Sequence, residues 1–352
     1  RKAAGEQRPI DGHRTVTDRT GYSIGRDFMA FVIYGAGAIG GILAARLSHA
    51  GEDVVVIARG DSLRTLGNGL SLEAPTGDWR ARFVVVGHPS ERPLRSTDVV
   101  ILAMKTQDTL VAVEELALAA PGDTPIVCAQ NGVENERIVL RRFQNVYGAY
   151  VFVFGHRPAS GIVQCFTAPS FGVVDVGRYP RGLDDVARRI NDTLVRAGFD
   201  AVPRTGIMRW KYAKLLANLG NAFDAACGGL GGVADLYEAA QDEGRACYTA
   251  AGIDYVGAKE SADRHRHLLP LGLVNGTRFP GGSMWQSLAR HAGTTEVDYL
   301  NGEIVLLGRR LGVATPVNRA LQDIMRTMAL GGHAPASLEP SELRARLAGL
   351  RA

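Results

Sequence analysis

Lys214, Asn218 and Asn221 stand at i, i+4 and i+7 within Trp210 to Asn221. On one continuous helix that spacing puts a cation and two amides on a single face. Leu215, Leu216 and Leu219 point elsewhere and supply packing. Polar groups that are buried need partners; a polar substrate supplies them here, and a solvated face is the alternative. Lys211, displaced by about 60° from the stripe, is the weaker candidate. A second set is Gly35, Gly37 and Gly40, in a G-x-G-x-x-G spacing between the apolar run Ala30 to Tyr34 and a helix expected over Ile39 to Ala50. Between strand and helix, this motif marks a dinucleotide-binding turn. Gly35 allows the tight turn, Gly37 lets the backbone approach a pyrophosphate, and Gly40 lets the helix pack near the strand. The free N–H groups of the helix start, at Ala38 and Ile39, face the anion.

The next apolar run, Asp53 to Ala58, ends at Arg59, where an NAD enzyme ordinarily carries Asp or Glu for the ribose hydroxyls. No carboxylate competes before Asp61. A guanidinium favours a 2′-phosphate, so the expected cofactor is NADPH rather than NADH, with Arg64 available to share the phosphate. Two further polar groups follow expected strands, Lys105 after Val99 to Ala103 and Asn131 after Ile126 to Ala129. Ligands of open α/β sheets bind beyond such strand ends. Lys105 suits a nicotinamide-ribose or phosphate contact, and Asn131 can bridge cofactor and substrate.

These groups need a scaffold, and the 352 residues allow two domains with separate cores. From Met29 the chain alternates strands and helices, predicting a doubly wound, largely parallel Rossmann-like sheet over residues 29–205. Leu70 to Glu73 and Arg82 to Val86, flanking the turn Pro75 to Asp78, read as an inserted hairpin. Further β-rich runs are Val146 to Val153, Gly161 to Thr167 and Phe171 to Val176, with a last short strand at Ala201-Val202. Past Thr205 helical periods dominate, one of them unbroken from Arg209 to Ala226, predicting an all-α domain over residues 206–352. Its tail, from Ala334, reads as a capping helix or a frayed end. Residues 1–28 are polar and read as a disordered extension.

A formal net charge of +4 with scattered Lys and Arg gives no nucleic-acid signature. No apolar run reaches the roughly 18 residues of a membrane span. The four cysteines lie far apart without a C-x-x-C, which points to reduced thiols and a cytoplasmic protein. The histidines show no metal-ligand spacing.

Seven pieces in a fixed order resemble the ketopantoate reductase (2-dehydropantoate 2-reductase) family. They are GAGAIG at 35–40, the Arg after the second strand, AMK at 103–105, QNG at 130–132, KLLAN at 214–218, SMWQ at 283–286 and TEVDYLNG at 295–302. The resemblance implies a C-terminal domain like that of 6-phosphogluconate dehydrogenases and a homodimer. It makes Lys214 the general acid/base and Glu296 the active-site glutamate. Asn131 then lies near nicotinamide and substrate, Lys105 on the cofactor side, and Asn218 and Ser283 against the substrate. From the residues alone, Glu296 also reads as a first-turn carboxylate complementing a helix dipole, capped by Thr294 or Thr295. The family pattern departs at Ala222, where a second asparagine is common and Asn221 is the substitute one step earlier, and at Ser287, where an Asp is common.

Hydride transfer to a ketone leaves an alkoxide, and a protonated Lys214 would supply a charge-assisted hydrogen bond and the proton. A nearby carboxylate raises a lysine pKa and burial lowers it; the sequence leaves both open. The expected activity is NADPH-dependent reduction of a 2-oxo acid, ketopantoate first, in pantothenate and coenzyme A biosynthesis. The alternatives are another 2-oxo acid, an imine- or opine-type dehydrogenase, or a non-catalytic NADP-sensing protein on the same fold.

Overall fold

The computed structural model describes residues 29–349 and two short strands before them, β1 (Val16–Thr17) and β2 (Ser23–Ile24), which pair antiparallel. The extension expected over 1–28 otherwise lies outside the described residues, as do 350–352.

The N-terminal domain is built on β3 (Phe31–Tyr34), the helix α1 (Ala38–His49), β4 (Val54–Ile57), α2 (Gly60–Leu66), β5 (Leu70–Ala74), β6 (Gly77–Ala81), β7 (Val84–Val86) and β8 (Val99–Leu102). It continues through α3 (Thr109–Ala117), β9 (Ile126–Cys128), α4 (Asn135–Leu140), β10 (Val146–Phe152), β11 (Gly155–Ala159), β12 (Ile162–Cys165), β13 (Val173–Arg178) and α5 (Asp185–Arg196). Seven strands form the main sheet in the order β13-β10-β9-β8-β3-β4-β7. All pairs are parallel except β10 with β13. β3 and β4 are buried at every residue because helices or strands cover both faces, which is why they read as unbroken apolar runs. The chain leaves β3 in one direction to β4 and β7 and then returns to β8 on the other side. The ligand crevice of such a sheet opens at that reversal, between the ends of β3 and β8.

A second sheet, β11-β12-β5-β6, packs over α1. An ideal Cβ on Gly41 would meet Val163 of β12 at 2.7 Å, so the glycine admits that close approach. Covered on both sides, α1 buries Gly40 to Leu47 without interruption. The inserted hairpin is therefore corrected. Its return strand is the polar Gly77–Ala81, while Val84–Val86 pairs with β4 in the main sheet. β11 was not expected at all. Ala201-Val202 forms no strand; only Asp200 bridges to Val173.

The C-terminal domain contains α6 (Ile207–Asn218), α7 (Asn221–Cys227), α8 (Ala234–Ala251), α9 (Ala258–His265), α10 (Ser283–Ala289), α11 (Asn301–Leu311), α12 (Pro316–Leu330) and α13 (Pro340–Gly349). The tail takes the capping form, with Leu343 and Leu347 buried in the helical core. The unbroken helix expected over Arg209 to Ala226 divides at Leu219-Gly220. There the Tyr237 ring would lie 3.2 Å from a Cβ on Gly220, and its hydroxyl donates to Ala217 O at 3.4 Å. α6 lies along β10, and Tyr150, Ile207 and Trp210 share a small core at the junction. Among the described residues no helix is long and apolar enough to cross a membrane.

Candidate active site

The glycine turn divides its labour by position. Gly35 has φ +105°, and a Cβ there would lie 2.6 Å from Met104 N. A Cβ on Gly40 would collide with Gly35 O. Gly37 is different: its nearest neighbour would be Ala103 O at 4.0 Å, so the space over it is open. Gly37 is also the N-cap of α1 and offers no side-chain cap, which leaves the first N–H groups of the helix free. An open Gly37 before uncapped N–H groups fits a pyrophosphate.

From this turn a cleft of about 340 Å³ runs between the two domains. Gly37, Ala38 and Ile39 line one part of it, and Lys105, Asn131, Lys214, Asn218, Asn221, Ser283 and Glu296 also line it. Lys105 and Asn131, expected at strand ends, therefore meet the residues expected on helices in one place, while Arg59 and Arg64 are not among the residues that line it.

Because α6 packs on β10, the Lys214 amine reaches the carboxyl end of that strand. It donates to Val151 O and, at 2.9 Å, to Asn131 Oδ1. Asn131 is itself pinned through its carbonyl, which accepts from Asn135 Nδ2 at 3.0 Å. Burial around the amine pulls the Lys214 pKa down to about 7, with Lys211 adding to the effect and Glu296 opposing it. The competition left open by the sequence is thus won by burial. Asn218 and Asn221 reach the cleft from two helices rather than one, Asn221 at the first residue of α7. Asn218 Nδ2 is buried with no hydrogen-bond partner, an amide aimed at something polar. Ala222 faces the other way and is fully buried in the helical core.

Glu296 is buried and accepts from Thr106 N and Thr106 Oγ1, both at 3.3 Å. It precedes a single 3₁₀ turn, Val297–Tyr299, and caps no helix with its side chain, so the dipole-complementing reading is set aside. Thr295 Oγ1 instead accepts from Val297 N at 3.4 Å. Lys105 crosses to the helical domain and donates to Ser287 Oγ, which in turn donates to Ser283 O at 2.8 Å. The serine that stands where Asp is common is therefore the partner of Lys105. Burial lowers the Lys105 pKa, against the pull of Glu296.

Arg59 lies at the end of β4 and stays about half exposed. It donates to Tyr34 Oη at 2.9 Å and pairs with Glu115 on α3. The absence of a competing carboxylate holds along the chain and fails in space, because Glu115 lies 56 residues further on. Arg64 is exposed and pairs with Asp61 at 3.3 Å.

Three features escaped the sequence. Lys211 forms a fully buried ion pair with Glu136 and donates to Gln130 O at 3.3 Å. Arg157 and Arg290 line the cleft from opposite domains. Gln286 Nε2 donates to Gly155 O at 2.9 Å, tying α10 to β11. The partners are 75, 81 and 131 residues apart in the three hydrogen-bonded contacts, and no local pattern announces them.

A Rossmann-type sheet with its glycine turn open onto an interdomain cleft, faced by a lysine from an all-helical partner domain, defines a two-domain nicotinamide-dinucleotide oxidoreductase. The chain matches Ketopantoate reductase PanE/ApbA over residues 31–180 and its C-terminal domain over residues 206–329. It belongs to the ketopantoate reductase family. It is 30% identical over 313 residues to the 2-dehydropantoate 2-reductase of Archaeoglobus fulgidus, covering 85% of this chain and 97% of the relative. Among solved structures, a PanE/ApbA family ketopantoate reductase from Ralstonia eutropha JMP134 superposes with a TM-score of 0.71 at 24% identity, over 86% of this chain and 99% of the other. D-mandelate dehydrogenase, solved with NADH and anilino(oxo)acetate, has the same fold, with a TM-score of 0.74 at 22% identity over 86% and 99% of the two chains.

Proposed function

We propose that this protein reduces ketopantoate to pantoate with NADPH, a step of pantothenate and coenzyme A biosynthesis. The observation that carries the reading is the Lys214 amine, held between Asn131 Oδ1 and Val151 O in the same cleft that exposes Gly37. A dinucleotide held over Gly37 and the first N–H groups of α1 would supply the hydride for the carbonyl carbon. Lys214 then gives its proton to the carbonyl oxygen as negative charge develops there. With a pKa of about 7 the amine is a ready acid near neutral pH and, once emptied, a ready base for the reverse direction. Asn218 Nδ2, Asn221 and Ser283 supply hydrogen bonds to the acid and its hydroxyl. Glu296 orients the substrate and, by its charge, keeps part of the proton affinity of Lys214. Arg59 supports the choice of NADPH over NADH.

A 2-oxo acid with a larger apolar side chain is the second reading. Phe152, Phe154 and Phe279 also line the cleft, the last two stacked edge to face at 5.1 Å. The buried Ala222 removes one amide from the set expected for ketopantoate.

The test follows NADPH absorbance with a panel of 2-oxo acids, ketopantoate first, beside NADH. Turnover of ketopantoate supports the first reading, and turnover only of aromatic or bulkier acids selects the second. Tight NADPH binding with no turnover of any acid selects a non-catalytic NADP sensor. Lys214→Ala is expected to lose more than about a hundredfold in kcat with NADPH affinity little changed; parallel loss of both counts against the catalytic role.

We place the protein in the cytoplasm, supported by its four unpaired cysteines. We take it to be a homodimer, supported by exposed Leu306, Leu311 and Leu330 on α11 and α12; light scattering tests the assembly.

A further inference from the structure

Two guanidiniums face the cleft without an acidic partner. Arg157, on β11, donates to Ser62 Oγ at 2.8 Å. Arg290, just past α10, reaches Gln286 Oε1 at 3.5 Å. Among the described residues neither has a carboxylate within 4.0 Å, whereas Arg59, Arg178, Arg204 and Arg264 each have one.

Their location follows from a chain of contacts. Gln286, one helical turn before Arg290, is fastened to Gly155 O. A Cβ on Gly155 would lie 3.4 Å from both Ala38 and Ile39, in the first turn of α1. Arg157 follows Gly155 by two residues on β11, where the register with β12 shifts, and lines the same cleft as Gly37, Ala38 and Ile39. Its tether, Ser62, belongs to α2, whose first residue follows Arg59. The two cations therefore lie over the start of α1, between the end read as holding the 2′-phosphate and the end that holds Lys214. The N-terminus of α1 adds its own positive partial charge to the same spot. Like charges gathered at one place repel, and burial together with Arg157 holds the Arg290 pKa below its usual range. The arrangement is relieved by an anion.

We propose that Arg290 and Arg157 form a clamp, one arm from each domain, for the pyrophosphate of the nicotinamide dinucleotide. The assignment rests on the dinucleotide-dependent reading above. The glycine turn supplies backbone N–H groups from below and the arginines supply charged, fork-shaped donors from above. Since Arg290 belongs to the helical domain, dinucleotide binding draws the substrate-facing helices toward the sheet.

The test measures dissociation constants of NADPH and NADH by nicotinamide fluorescence for the wild type, Arg290→Gln, Arg157→Gln and Arg59→Ala. Because the pyrophosphate is common to both dinucleotides, Arg290→Gln and Arg157→Gln should weaken both alike, by about 10- to 100-fold. Arg59→Ala should weaken NADPH selectively. Affinity of the wild type should also fall more steeply with salt than that of Arg290→Gln. Dissociation constants unchanged in both Gln variants overturn the clamp, as does a rise confined to the KM of the 2-oxo acid, which would move the cations to the substrate. A wild type that binds neither dinucleotide overturns the clamp together with the function it rests on; a wild type that binds both and a matching Arg290→Gln overturn the clamp alone.

Discussion

Glu115 on α3 holds the guanidinium of Arg59, and Tyr34 Oη completes the contact at 2.9 Å. The cation proposed to favour NADPH thus already has a carboxylate partner within the fold. A 2′-phosphate must share Arg59 with this carboxylate, which lessens the selectivity that an isolated arginine would give.

Glu115→Gln should therefore raise the preference for NADPH. Because Arg59 is about half exposed, the pair is worth at most about 1 kcal/mol, so the ratio of kcat/KM for NADPH to that for NADH should increase by about twofold to fivefold. Steady-state kinetics with both cofactors decide it. A fall in the ratio would mean that Glu115 positions Arg59 rather than competing for it.

The pKa of about 7 at Lys214 fixes the pH behaviour. With Lys214 as the proposed proton donor, kcat for reduction should fall as pH rises through about 7, while oxidation of the 2-hydroxy acid, which would use the free amine, should rise over the same interval. The stability consequence has a definite sign. Folding lowers the proton affinity of this amine from its ordinary 10.5, so between about 7 and 10.5 the unfolded chain binds more protons and this group's contribution to stability rises with pH. Lys214→Met should melt above the wild type below pH 7, with the gap narrowing as the pH approaches 10.5. A pH-independent gap in Tm would show that the amine is not desolvated.

Lys211 and Glu136 are both buried, at 3% and 0% side-chain exposure, and Glu136 Oε2 has no partner. Removing one charge strands the other. Lys211→Met should cost about 3–5 kcal/mol in denaturant unfolding, and Lys211→Met/Glu136→Leu should recover much of the loss. Lys211 also presses the Lys214 pKa downward. The double variant should therefore shift the pH profile of reduction to higher pH. An unmoved profile would assign the pair to stability alone.

Asn221 and Ala222 test which residue carries the second amide. Asn221→Ala should raise the KM of the 2-oxo acid by about tenfold, the value of a lost hydrogen bond to a charged group, with NADPH affinity unaffected. Ala222→Asn, which restores the more common family residue, should destabilise instead, because a larger polar side chain has to enter a fully buried site. Substrate kinetics and thermal melts of the two variants separate these effects.

What was legible in the chain is what local chemistry dictates. β3, β4 and β8 announce themselves because strands covered on both faces must be apolar throughout. The glycine turn is readable because a positive φ at Gly35 and the contact of Gly40 with Gly35 tolerate nothing larger. β6 and β11 were invisible because both are short and carry polar or exposed residues, and their pairing is fixed by β5 and β12 rather than by their own composition. The unbroken helix through Asn221 failed for a similar reason. Gly220 is a tolerable helix residue by propensity, and it takes Tyr237, in another helix, to turn it into a joint. Lys105 and Asn131 stand out at strand ends and Lys214 on its helix stripe, whereas the site role of Glu296 is implied only by the family resemblance. Arg157 and Arg290 were missed because only the fold brings them to the cleft, and Glu115 because its contact with Arg59 spans 56 residues.

The joint between α6 and α7 frees one side of the cleft from helical geometry. On a continuous helix the offset between Asn218 and Asn221 would be set by the 3.6-residue turn and could shift only together with Lys214. With a two-residue connection between the helices, the reach of the second amide is governed by that short link and by the ring of Tyr237. Acceptance of new acids should then be tunable by lengthening or stiffening the link, with Lys214 left in register against the sheet.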